Sequence, residues 1–113
     1  GSSLGGLVSF YAALKYPDVF GKVGCFSPAF WINKEEIFQK LENTPKFNTK
    51  IYLLCGDKED KGNMVGDMKD MEMQINSKRC ECKKLNKSVI IKDGEHNEKL
   101  WRNAFAKAYL WFF

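Results

Sequence analysis

The sequence predicts an α/β fold with a parallel sheet, and three observations carry that prediction. Apolar stretches of strand length alternate with amphipathic stretches of helix length. Each strand is followed by a helix able to cover one of its faces. No linker, repeat or low-complexity segment interrupts the alternation. The order is helix, strand, helix, strand, helix, strand, helix. A chain that opens on a helix lacks the strand that should feed it, and three strands make a thin sheet. The expected architecture is therefore the C-terminal portion of a larger α/β domain. Residues 1–113 would form one partial domain of three parallel strands with helices on both faces.

Each element has its own warrant. Leu7, Phe10, Tyr11 and Leu14 recur at helical spacing from Leu4 to Tyr16, and Pro17 closes that helix. Residues 22–27 (KVGCFS) read as a short buried strand. Asn33 followed by Glu36 resembles a helix-capping pair, with Ile37, Phe38 and Leu41 as the apolar face and Thr44-Pro45 as the stop. Residues 50–55 (KIYLLC), ended by Gly56, are a near-continuous apolar run, as in a strand buried on both faces. Met64, Met68, Met71 and Ile75 form a stripe that predicts a long helix over 63–82, with these methionines and Met73 as core filler. Residues 87–92 (KSVIIK) give the third strand. Leu100, Trp101, Phe105, Ala108 and Phe112 define the last helix.

Composition narrows the classes. With 44% hydrophobic and 28% charged residues, 113 residues can bury a real core without metal or disulfide staples. No apolar run approaches the ~20 residues of a membrane span. The net charge of +4 is mild for a nucleic-acid binder. Cys25, Cys55, Cys80 and Cys82 lack zinc-ligand spacing, and His96 is the sole histidine, so no metal site and no cofactor are expected. Two of these cysteines sit in apolar runs, which favours a reducing compartment, the cytoplasm.

Three motifs carry chemistry. Gly1-Ser2-Ser3-Leu4-Gly5 is a G-x-S-x-G directly before a helix, where a tight turn presents a serine hydroxyl at the top of a sheet. A tag-cleavage scar also begins Gly-Ser, but a scar has no reason to supply Gly6 and a helix that starts in register. His96 lies in the polar loop after the last strand, on the side where open α/β sheets place their sites. The loop Gly56-Asp57-Lys58-Glu59-Asp60 offers carboxylates, one of which could orient the imidazole. Singly, each has a bland reading. Together they follow the order nucleophile, acid, histidine, each at a strand-to-helix junction. Lys78, Arg79, Lys83, Lys84 and Lys87 form a basic segment read as a solvated helix end rather than a phosphate-binding patch. Trp31 stands near the expected rim, either lining an acyl or alcohol pocket or packing.

Gly1–Gly6, Tyr16-Pro17-Asp18-Val19-Phe20-Gly21, Phe26-Ser27-Pro28-Ala29-Phe30-Trp31, Gly56-Asp57-Lys58-Glu59, Gly94-Glu95-His96 and Leu100-Trp101-Arg102 resemble the esterase family of α/β hydrolases. That family includes esterase D, feruloyl esterases, enterochelin-type siderophore esterases and mycolyltransferases. The resemblance spans essentially the whole chain but only the C-terminal half of the family's domain. It implies an α/β-hydrolase fold, a small-molecule ester substrate, Ser3 as nucleophile and His96 as base. It selects Glu59 as the acid, with Asp57 and Asp60 as alternatives. The backbone N–H of Leu4 would be one oxyanion donor, and the second belongs to a loop absent from these residues. Hydrolysis through an acyl-enzyme is the leading expectation. Acyl transfer to an alcohol is the alternative of the same fold. A non-catalytic interaction or nucleic-acid-binding module built on 78–87 is the alternative of another class. The isolated residues are not expected to be a self-sufficient enzyme: the open edge of the 22–27 strand would need missing strands or a second copy to cover it.

Overall fold

The computed structural model describes residues 1–45, 47–79 and 85–113. Its sheet consists of β1 (Lys22–Phe26), β2 (Lys50–Gly56) and β3 (Asn86–Ile91), parallel and adjacent in chain order. β2 is central, with Leu53 opposite Cys25 on one side and Ser88 on the other. Helices α1 (Leu4–Lys15), α2 (Lys34–Asn43), α3 (Asn63–Asn76) and α4 (Glu98–Phe112) complete the α/β alternation. Side chains of β2 alternate between two cores. Ile51, Leu53 and Cys55 join the cluster built with α1, α2 and α3, while Tyr52 and Leu54 pack against α4. That is why β2 reads as a continuous apolar run: both of its faces are covered.

Inside the larger core, Met64, Met68, Met71 and Ile75 are at most 1% exposed. Burial of one such side chain contributes roughly 1.5–3 kcal/mol. Phe10 meets Phe30 edge-on at 5.3 Å between ring centroids, tying α1 to the segment after β1. Lys34 bridges α2 to α3 through Asp67 (2.9 Å) and Asp70 (2.8 Å).

Several expected details differ. The long helix ends at Asn76 rather than near 82, because Ile75 is its last apolar residue and Ser77 Oγ turns back onto the Gln74 carbonyl. Met73 is 72% exposed, since it falls between the residues of the buried stripe. Phe105 is 57% exposed; Ala104 and Ala108 are the buried residues of α4. Asn33 does precede α2, but its side chain makes no capping hydrogen bond. Among the basic residues, Lys78 donates to the Glu42 (2.5 Å) and Thr44 (2.7 Å) carbonyls, and Arg79 stacks over Phe47. Two members of that segment therefore stabilise the end of α2 and its following loop. Cys80, Cys82, Lys83 and Lys84 lie outside the described residues. No helix among the described residues is long and apolar enough to cross a membrane.

The edge of β1 is partly occupied. Phe26 N–H donates to Gly1 O and Ser3 N–H donates to Phe26 O, both at 2.9 Å, and Ser2 forms a parallel bridge to Phe26. These bonds align the start of the chain with the C-terminal end of β1 and hold Ser3 at the top of the sheet.

Candidate active site

Ser3 occupies the junction between that short extended segment and α1. Its backbone, at φ 54° and ψ −121°, lies in a region that L-residues seldom enter. The turn is enforced on several sides. Ser3 O accepts from Leu7 N–H and Ala29 N–H, both at 3.1 Å. A Cβ on Gly1 would come within 2.5 Å of Gly5 O, so only glycine fits where the chain folds back on the start of α1. Leu4 is the first helical residue, a position whose N–H has no intrahelical acceptor.

His96 is presented by the loop between β3 and α4, which is stapled to the end of β2. Asp57 N–H donates to Ile91 O, Lys58 N–H to Gly94 O, and Asp93 N–H to Asp57 Oδ1 (2.8 Å). The backbones of Gly56 and Gly94 touch: a Cβ on Gly56 would overlap Gly94 O and lie 2.6 Å from Gly94 Cα. Directly after His96, the Asn97 side chain caps α4 by accepting from Leu100 N–H (3.0 Å). The imidazole is thus held on one side by a hydrogen-bonded loop and on the other by a capped helix.

Glu59 opens the short 3₁₀ turn Glu59–Gly62 between β2 and α3. Asp60 and Lys61 adopt φ of 48° and 54°, and this left-handed stretch folds Glu59 inward while Asp60 points to solvent. The Glu59 residue is 2% exposed. Its Oε1 lies 2.5 Å from His96 Nδ1, and its Oε2 accepts from Gly56 N–H (2.6 Å) and Ser27 Oγ (2.7 Å). On the far side of the ring, His96 Nε2 is 2.9 Å from Ser3 Oγ.

The structure therefore brings Ser3, His96 and Glu59 into one hydrogen-bonded line. It does not bring Asp57 or Asp60 to the imidazole: Asp57 fastens the loop that carries His96, and Asp60 is exposed. Trp31, half-exposed, stands edge-on to His96 at 6.3 Å, and Trp101 does so at 5.0 Å. Sequence reasoning gave no role to Ser27 or Trp101, although both fall inside motifs it singled out. Trp101 Nε1 donates to Ser27 Oγ at 2.8 Å. A polar residue ending an apolar strand, and an indole five residues after the histidine, were the available signals.

A separate cavity of about 600 Å³ lies between α4 and β3, over Tyr52, Leu54, Val89 and Ile91. None of Ser3, Glu59 and His96 lines it.

Comparison with known proteins bears on the family and the fold. The family model described as "Putative esterase" matches residues 1–112. The Bacillus subtilis (strain 168) protein YbbA is 27% identical over 119 residues; the match takes in all of this chain and 47% of that protein. The chain thus spans about half the length of the curated relative it matches. The enterobactin esterase of Shigella flexneri superposes with a TM-score of 0.80 at 24% identity, over 96% of this chain and 28% of that one. The S-formylglutathione hydrolase of Staphylococcus aureus superposes with a TM-score of 0.72 at 21% identity, over 98% of this chain and 48% of that one. At these identities the structural matches speak for the fold.

Proposed function

Because the chain belongs to the esterase family whose model spans residues 1–112, we propose that it supplies the nucleophile, base and acid of a serine esterase. The observation that carries this reading is the line from Ser3 Oγ through both ring nitrogens of His96 to Glu59 Oε1. Ser3 Oγ attacks the ester carbonyl carbon while His96 Nε2 takes the hydroxyl proton. The carbonyl oxygen becomes an oxyanion, and Leu4 N–H, which has no intrahelical acceptor, donates to it. As the carbon–oxygen bond to the alcohol breaks, His96 returns the proton to the leaving oxygen. The Ser3 acyl-enzyme is then cleaved by water, again with His96 as base, releasing a carboxylic acid and restoring Ser3.

Glu59 has a definite part in this sequence. Accepting Nδ1–H fixes the tautomer in which Nε2 carries the lone pair, and the carboxylate stabilises the imidazolium formed in each half-reaction. Trp31 and Trp101 stand edge-on to the ring. The test is kinetic, in the full-length protein on a short-chain aryl ester. Ser3→Ala and His96→Ala should each remove nearly all turnover, because residues of such a unit fail together. Normal turnover by Ser3→Ala would overturn the reading. Product analysis with a competing alcohol separates hydrolysis from acyl transfer.

A further inference from the structure

We propose that Ser27 and Trp101 form a positioning relay that locks the Glu59 carboxylate toward His96. The inference rests on the reading of Glu59 as the acid.

Chemistry fixes the direction of the relay. An indole N–H only donates, so Trp101 Nε1–H must point at Ser27 Oγ. A carboxylate only accepts, so the Ser27 hydroxyl proton must point at Glu59 Oε2. Gly56 N–H donates to that same oxygen. With Oε2 held by two donors, Oε1 is left for His96 Nδ1. Ser27 is fully buried and the Glu59 side chain is 1% exposed, so water does not compete for the two bonds that hold Oε2. In such a setting successive hydrogen bonds polarise one another.

The backbone gives an independent sign of constraint. Ser27 sits at φ 48°, unfavourable for a non-glycine residue, and is held there by Ser27 N–H to Leu54 O (2.6 Å). Strain of this kind persists where the surroundings over-determine a conformation, and it clusters at sites. Glycine would relieve it, yet glycine has no hydroxyl. The chain keeps the group that reaches Glu59. Trp101 also stands edge-on to His96, so one side chain supports both members of the acid–base pair.

Ser27→Gly separates the relay from a purely structural role, because it suits φ 48° while deleting the hydroxyl. In the full-length protein, kcat should fall about 10-fold or more, the scale of a hydrogen bond to a charged group, with KM within two-fold. Trp101→Phe should lower kcat in the same sense by a smaller factor. In a Glu59→Gln background, Ser27→Gly should change kcat by less than about two-fold, since its target is already lost. The relay is overturned if Ser27→Gly leaves kcat unchanged, lowers it equally in both backgrounds, or alters KM alone. Glu59→Gln with full activity would remove the acid and the relay with it. A failed relay beside an inactive Ser3→Ala would leave the esterase reading standing.

Discussion

Replacing Gly56 with alanine should disable the site without touching any of its three central side chains. The new Cβ would overlap Gly94 O and lie 2.6 Å from Gly94 Cα, and both neighbours are backbone. Restoring ordinary van der Waals separation moves the end of β2 and the β3–α4 loop apart by about 1 Å. That loop carries His96, and Gly56 N–H is itself a donor to Glu59. The His96–Glu59 separation of 2.5 Å would open to about 3.5 Å, beyond a useful hydrogen bond. A misplacement of that size lowers turnover by about 100-fold. Overpacking should also cost about 1–3 kcal/mol of stability. The assay pairs kcat/KM on an aryl ester with thermal unfolding. Gly66→Ala is the control: nothing lies within 4 Å of the position its methyl group would take, so it should keep full activity and gain about 0.5–1 kcal/mol as a helical residue. Activity of Gly56→Ala within three-fold of the parent would refute the reasoning.

Other outcomes follow from the same geometry. Asp57→Asn should lower activity moderately by weakening the bond to Asp93 N–H, whereas Asp60→Asn should leave it within two-fold; the reverse ranking in an ester assay would count against Glu59 as the acid. Met68→Ala should destabilise the fold by about 2–5 kcal/mol in denaturant titration, and exposed Met73→Ala by less than about 0.5 kcal/mol. Burial pushes the Cys25 and Cys55 thiols up to about 12, from an ordinary 9.0. An unfolded thiol sheds its proton near 9.0 while the folded one keeps it, so stability from this source is intact below about pH 9 and declines as pH rises toward 12. Mass spectrometry after alkylation at pH 8 should find both thiols unmodified in the folded protein and modified after denaturation.

Much of the fold was legible because burial imposes a period on the chain. Leu7, Phe10 and Leu14 mark the buried face of α1, and the Met64–Ile75 stripe marks that of α3. Residues 50–55 announced a strand covered on both sides. The pattern misled where a large apolar side chain lies off the covered stripe, as at Met73 and Phe105. Sequence order placed Ser3, His96 and the acidic loop at the right end of the sheet. Order alone could not choose among Asp57, Glu59 and Asp60; the family resemblance selected Glu59, which is the carboxylate that lies against His96 beside the left-handed turn at Asp60 and Lys61. Nor could local patterning find the Trp101–Ser27 bond, whose partners stand 74 residues apart.

The central claim is that Ser3 is a nucleophile activated by His96. A fluorophosphonate probe reacts preferentially with such an activated hydroxyl, and peptide mass spectrometry reads out the residue modified. In the full-length protein the account predicts stoichiometric labelling on Ser3, with labelling lost in His96→Ala and slowed in Glu59→Gln. Labelling on a different residue, or unchanged labelling of Ser3 in His96→Ala, would contradict it.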